Sequence, residues 1–304
     1  MTGGAWWAAI RGDRRASLGA ALLAAFAVVG LVGPWLVGSP DALVGVPLQP
    51  PSLAHWLGTT GQGQDVLAQT VVGTRVSLLL GFGVGGAVVL LGALLGIAAG
   101  YFGGRVDAVL SLVFNVFLVL PGLPLAIVVA AYLPSGSLTV AAVLVLTGWA
   151  WNARVLRAQT LSLRRRDFVA AAVVSGESHL RIVVAELLPN LTSIIVAQLI
   201  SSAVYAIGAQ VGLEFLGLGD VSAVSWGTNL YWATNDSALL TGAWWTFVPT
   251  GLCVALVGFA LTLLNSGFDE VTNPRLRTER AWRAWLLGAG LTPTRSTPVV
   301  PPRG

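Results

Sequence analysis

Lysine is absent from the 304 residues, cysteine and methionine occur once each, histidine occurs twice, and only 10% of the chain is charged. Each scarcity removes a class of function. Without lysine, no Gly-x-x-x-x-Gly-Lys-[Ser/Thr] loop exists to cradle a nucleotide, so the chain itself is not expected to hydrolyse ATP. The single cysteine, Cys253, forms no internal disulfide and supplies no cysteine-based metal site. His55 and His179 stand far apart in sequence and do not suggest the convergent acid–base set of a membrane-embedded enzyme. No catalytic residue, cofactor or metal is expected. Soluble chains carry about 25% charged residues, so the shortfall excludes a typical cytosolic enzyme and a disordered chain alike. All 17 basic residues are arginine, yet the net charge is only +4, and the placement of those arginines speaks for a membrane rather than a nucleic acid.

What is present in excess is apolar: 55% hydrophobic residues, with 37 glycines besides. A transmembrane helix needs roughly 20 mainly apolar residues. Six stretches meet or approach that length, at 16–37, 76–99, 106–133, 138–153, 191–213 and 244–265. The third is interrupted by Pro121, Gly122 and Pro124, which predicts a kink or a break. The fourth is short. The expected fold is all-α, a multi-pass protein with about six transmembrane helices in a lipid bilayer. Arginine placement orients it. With the N-terminus cytoplasmic, all but Arg75 of the 17 arginines face the cytoplasm, and the C-terminus is cytoplasmic too. The first span is read as an uncleaved helix, because it exceeds the roughly 7–15 apolar residues of a signal peptide and five more spans follow. Trp6, Trp7, Trp282 and Trp285 near cytoplasmic charges, and Trp244 and Trp245 opening the sixth span, fit interfacial anchors.

Two connections exceed what connectivity requires. The outer segment 38–75 is proline-rich at first (Pro40, Pro47, Pro50, Pro51), then glycine-rich, so an extended half should precede a tightly turned one. The inner segment 154–190 predicts a short helix at 168–174, with Phe168, Ala171 and Ala172 sharing a face. Gly176 follows where a left-handed residue would reverse the chain. A second amphipathic stretch then leads to Pro189 and to Asn190, expected to cap the fifth span. Small residues on an exposed helix let another backbone approach; a basic loop that only obeys the positive-inside rule is the alternative. The outer loop at 214–243 mixes apolar and polar residues and could dip back into the bilayer.

At the inner segment the sequence resembles the permease subunits of ATP-binding cassette importers, whose cytoplasmic loop carries Glu-Ala-Ala, three residues, Gly, nine residues, then Ile-x-Leu-Pro. Here Ala170-Ala171-Ala172, Gly176 and Leu188-Pro189 fall at that spacing, while Ala170 stands for the Glu and Glu186 for the Ile. Further segments are similar to the dipeptide, oligopeptide and nickel permeases, and most of all to their second, C-type subunit. These are Gly58-Thr59 with Gly63-x-Asp65, Gly100 to Asp107, Leu213-Glu-Phe-Leu-Gly-Leu-Gly219, Ser225-Trp-Gly227 and Asn273-Pro-Arg-Leu276. The likeness spans about 16–277, which defines a permease domain between tails at 1–15 and 278–304. It implies a plasma (inner) membrane location and a homologous second permease subunit as partner. It also implies two ATP-binding cassette ATPase subunits and an extracytoplasmic substrate-binding protein. The stretch Asp167, Phe168, Ala170, Ala171, Ala172, Gly176, Leu188 and Pro189 would be the ATPase-coupling surface. Asp167 either takes over the anionic contact missing at Ala170 or is a solvated carboxylate beside three arginines.

Polar residues inside spans are costly and become candidates for function. Asn115, Gln198, Ser201, Ser202 and Tyr205 form the candidate path, the last four at helical spacing on one face; hydrogen bonding between helices would explain them as well. Asn115 stands where the resembled family usually has Asp. A peptide or similar small solute is the expected cargo, with nickel left open. A secondary transporter, or a non-transporting scaffold or sensor derived from a permease, is the alternative reading.

Overall fold

The computed structural model describes residues 13–272, with the side chains of 13–267. The tails' tryptophans, the arginines at 11 and from 275 onward, and the 273–276 motif lie outside the described residues. In chain order the helices are α1 (Arg14–Leu36), α2 (Val66–Phe102), α3 (Gly104–Val119), α4 (Gly122–Ala131), α5 (Ser137–Arg164) and α6 (Asp167–Val174). They continue as α7 (His179–Phe215), α8 (Trp226–Asn235), the single turn α9 (Ala238–Thr241) and α10 (Val248–Thr272). Among the described residues no strand forms, and pairing is limited to isolated bridges such as Leu43–Gln64.

The fold is all-α and polytopic. Five helices are long and apolar enough to cross a membrane, and α3 with α4, bent by 84°, makes a sixth span if the pair is one. The break falls where the prolines predict it. Pro121 disfavours helical backbone at Leu120, so α3 ends there. Pro124 sits in the first turn of α4, where a missing N–H breaks no intrahelical bond.

Hydropathy locates the membrane-embedded parts but not the helix ends. Asp65 caps α2 by accepting from the Ala68 N–H at 3.0 Å, so that helix begins ahead of the apolar run expected from residue 76. The short fourth stretch is the apolar part of the 28-residue α5, which continues through good helix formers to Arg164. Asn190 does not cap the fifth span, because the helix is continuous from His179. A π-turn at Ile182–Leu187, with the Leu188 N–H reaching back to Val183 O, makes room ahead of Pro189. The Asn190 side chain instead donates to Glu186 O at 2.7 Å.

The long α2 lies at the centre, against α1, α5 and α7. Its close face is a glycine row. A Cβ at Gly92 would lie 3.0 Å from Ala153 N, one at Gly96 3.0 Å from the Ala153 carbonyl carbon, and one at Gly100 2.8 Å from Arg157 O. These residues recur every four positions, so one stripe of α2 meets the α5 backbone, with Ala150 and Ala153 buried opposite. Lipid chains remove the hydrophobic drive between helices, so close van der Waals packing carries this contact. On the same helix Val84 and Val88 join Ala126 and Ala130 of α4, Val143 and Leu144 of α5 and Ala206 of α7 in one core.

Gly96→Leu should push α2 off the α5 backbone and lower the thermal stability of the purified protein by about 1–3 kcal/mol. Gly83→Ala, where nothing lies within 4 Å of the added carbon, should leave the melting temperature unchanged or raise it.

Candidate functional site

A cavity of about 620 Å³ opens between α3–α4, α5 and α7. Gln198, Ser201, Ser202 and Tyr205 of α7 all line it. Asn115 does not; it lines a separate, smaller pocket with Arg154 and Arg157. The polar face of α7 divides between helix–helix bonding and the cavity wall. Gln198 and Ser202 are buried and tie α7 to α5: Asn152 Nδ2 donates to Ser202 Oγ at 3.0 Å, and Gln198 Nε2 donates to Asn152 O at 3.4 Å. Ser201 and Tyr205 are exposed toward the cavity. Gln198 Oε1 is buried without a hydrogen-bond partner in the chain, which leaves an acceptor beside the cavity.

Asn152, Trp151, Thr147, Ser193 and Asn265 also line it and carry polar groups that were not anticipated from the sequence. Trp151 and Asn152 lie at the end of the apolar stretch expected at 138–153, but mid-helix in α5. Among the lining residues there is no carboxylate, imidazole, thiol or guanidinium. The wall offers amides, hydroxyls and the aromatic rings of Phe117, Trp151 and Tyr205, in an otherwise apolar setting.

At one end of α5 and α7 lies the second candidate region. The α6 helix closes in a Schellman turn: Glu177 N–H donates to Ala172 O at 3.1 Å and Gly176 N–H to Val173 O at 3.0 Å, with Gly176 at φ +76. Its inward face is Val169, which packs with Tyr101 of α2 and Ile182 and Leu187 of α7; Ala172 is half-buried beside them. Asp167, Phe168, Ala170 and Ala171 face outward. Phe168, Ala171 and Ala172 border a hollow of about 380 Å³ whose other wall carries Arg181, Ala185 and Glu186 of α7. Leu188 and Pro189 lie exposed on α7 after the π-turn and do not line this hollow. Tyr101 Oη also lies 2.9 Å from His179 Nδ1, and Asp107 accepts a bidentate pair from Arg157, with Nη2 to Oδ2 at 2.7 Å. These contacts fix the α2–α3 corner and the lower part of α5 beside α6.

At the other end the chain closes on itself. Glu214, 2% exposed, accepts from Ser225 Oγ at 2.6 Å, from Gln210 Nε2 at 3.1 Å and from the Gly227 N–H. Gly219 and Gly227 press against its side chain. The Leu213–Gly219 and Ser225–Gly227 motifs are thus two halves of one contact, a role hidden while Glu214 was read as the first loop residue. Trp226 is fully buried; its N–H donates to Ser77 Oγ at 3.0 Å and its indole to Thr70 O at 3.4 Å. Trp245, expected as an interfacial anchor, instead donates its indole N–H to Thr59 O at 3.2 Å and holds the outer segment. The turned half of that segment reverses at Gly58 (φ +73) and Gly63 (φ +84). The loop at 214–243 forms α8 and α9 rather than a span of its own. Burial pushes the Asp236 carboxyl above its ordinary value, against a hydrogen bond from the Gly61 N–H.

Residues 92–277, which hold the cavity wall on α5 and α7 and the whole of α6, match the family described as binding-protein-dependent transport system inner membrane component. The chain belongs to that family. The dipeptide transport system permease protein DppC of Bacillus subtilis is 32% identical over 278 residues, covering 89% of this chain and 85% of the relative. The oligopeptide transport system permease protein OppC of Mycobacterium bovis is 35% identical over 265 residues, 86% of this chain and 90% of its own. OppC of Bacillus subtilis is 30% identical over 231 residues, 75% and 74% of the two chains. The protein is accordingly a transmembrane permease subunit of an ATP-driven importer of the inner membrane. Permeases of this family work with a partner permease, an ATPase and a substrate-binding protein.

Replacing Glu214 by Leu would leave three buried donors without their acceptor. It should lower the unfolding free energy of the purified permease by about 3 kcal/mol or more, whereas Glu214→Gln, which keeps an acceptor oxygen, should cost about 1 kcal/mol; differential scanning calorimetry or a thermal-shift assay separates the two.

Proposed function

We propose that this chain forms half of a path for peptides and is driven through α6 by a separate ATPase. One observation carries the reading. The helices that wall the cavity, α5 and α7, are the two helices that α6 joins, so a push on α6 is delivered to both cavity walls through continuous helix. Val169 seats α6 against α2 and α7, so it moves with them rather than sliding over them. Two ATPases hydrolyse ATP, one beneath this chain and one beneath a homologous permease that supplies the other half of the path. An extracytoplasmic binding protein delivers the cargo. The arginine distribution supports a cytoplasmic α6 and cytoplasmic termini, and the extent of the family likeness supports a permease domain at 16–277 between tails at 1–15 and 278–304.

A peptide fits the cavity better than a bare metal ion. Transition-metal cations bind imidazole, thiolate or carboxylate, and the lining supplies none of these. Peptides present backbone donors and acceptors at regular spacing, which Asn152, Gln198, Ser201 and Tyr205 match with neutral groups of both kinds. A neutral wall also lets peptides of differing charge pass without a trap. The dipeptide and oligopeptide names of the relatives point the same way. Phe168 and Ala171 form the contact with the ATPase, and Asp167, at the exposed start of α6, supplies the anionic group that Ala170 lacks.

The test is reconstitution of the chain with its second permease, two ATPases and binding protein in vesicles. ATP-dependent uptake of a labelled peptide is expected. Ala171→Trp should lower peptide-stimulated ATP hydrolysis at least about fivefold, the lower end of ordinary coupling free energies, and Asp167→Asn should lower it in the same direction. Unchanged stimulation in Ala171→Trp would remove α6 from the coupling route, and unchanged stimulation in Asp167→Asn would remove the carboxylate from it.

A further inference from the structure

The pocket that holds Asn115 is not part of the cavity, and its chemistry differs. Ser111, Phe114 and Asn115 of α3 face Arg154 and Arg157 of α5 across about 240 Å³. Asp107 is the carboxylate next to it, and both its oxygens are taken: one by Arg157 Nε and Ser111 Oγ, the other by Arg157 Nη2. That pair is therefore neutral as a unit. Arg154 makes no ion pair among the described residues. Asn115, opposite it, offers an amide and no charge. The pocket wall thus carries one uncompensated guanidinium and an amide N–H, both able to donate to the same oxyanion, while the Ser111 hydroxyl proton is held by Asp107.

Position decides where that anion comes from. Arg154 is about 26 Å along α5 from Ser137 at the helical rise, close to the far edge of a hydrocarbon core about 30 Å thick. Leu112 and Val116, the α3 residues that directly follow Ser111 and Asn115, are 65% and 52% exposed, an apolar surface suited to acyl chains. A cation at that depth is costly unless an anion meets it, and the phosphate layer of the bilayer lies at that edge. Guanidinium donors match phosphate oxygens in a fork that a bare ammonium cannot reproduce. Basic pockets between membrane helices are suited to anionic headgroups.

We infer that Arg154 and Asn115, with Arg157 beside them, form a binding site for the phosphate of an anionic phospholipid, with its acyl chains lying along Leu112 and Val116 of α3. The lipid completes the charge balance of the α3–α5 contact from outside the chain.

The assembled importer is placed in nanodiscs of phosphatidylcholine and phosphatidylglycerol, re-extracted, and its retained lipid counted by native mass spectrometry. Phosphatidylglycerol should be enriched over phosphatidylcholine. Arg154→Gln should reduce that enrichment about fivefold. Asn115→Asp should reduce it as much, because it keeps the cation and supplies a carboxylate from within, so the inference is testable even if Arg154→Gln fails to assemble. Equal enrichment in wild type and Asn115→Asp would overturn it. Thermal protection by inorganic phosphate in phosphatidylcholine alone, equal to that given by phosphatidylglycerol, would assign the pocket to a free oxyanion and overturn the lipid reading. So would a structure of the assembled importer in which a carboxylate of the second permease pairs with Arg154.

Discussion

The close approach of α2 to α5 is the contact on which the other arrangements depend. Glycine at 92, 96 and 100 lets the two backbones meet at a distance no side chain would allow. With α2 seated there, Phe114 of α3 closes against Trp149 and Ala99, and Tyr101 arrives where Val169 and His179 can pack on it. Gly85, seven residues before Gly92, brings α7 in at Ala203. One helix therefore fixes the spacing of both cavity walls and the seat of α6. In hydrocarbon this cannot be left to apolar burial, because lipid tails compete equally well for Leu and Val. Shape, and the dispersion contact that shape permits, does the selecting.

The two ends of this three-helix body are held by different chemistry. At the outer end the ties are buried hydrogen bonds: Glu214 to Ser225 and Gly227, Trp226 to Ser77, Trp245 to Thr59. Several link groups far apart in sequence, and leaving any donor there unpaired would be costly. At the α6 end the ties are an ion pair, a Tyr–His contact and one small apolar cluster. For the import reading proposed above, this asymmetry fits a molecule that receives force at α6 and must transmit it without losing its outer closure.

Much of this was legible in the sequence, and the omissions share a cause. Span number, the break at Pro121, the α6 helix and the Gly176 reversal follow from hydropathy, proline chemistry and the left-handed preference of glycine, all of which act locally. Glu214 was missed because hydropathy ends a span where apolar content falls, whereas a helix continues while its backbone bonds can form; Asn152 lay inside the expected fourth span, and only the approach of Ser202 shows what it bonds. Asn190 was taken for a cap because Pro189 resembles a helix start; the π-turn that lets one helix run through it has no local signature. The four-residue repeat of Gly92, Gly96 and Gly100 was visible, but the sequence does not say which helix faces it. Gln198 and Ser202 show the same limit: spacing puts them on one face, and only the approach of Asn152 separates a bonded pair from a cavity-lining one.

The position of the backbone breaks bears on how such a body can change shape. Inside α2, α5 and the main part of α7 no proline interrupts the helical hydrogen bonds, and stripes of small residues lock the three together. The irregular positions lie around them: Gly103 at φ +67 between α2 and α3, the extended Pro121 between α3 and α4, and the π-turn before Pro189. Each is a point where rotation costs few bonds, whereas rotation within the glycine-packed stripe would cost a whole interface at once. Rigid-body motion therefore divides along these joints. α3 and α4, which form the remaining wall of the cavity and carry the Asn115 pocket, are the elements able to swing against α5, and α6 is placed to tilt the base of α7 at its π-turn. The Asp107–Arg157 pair ties α3 to α5 near the start of α3, whereas the bend at Pro121 and Gly122 lies at its far end, so a swing of α3 that kept the pair would be felt most at that bend.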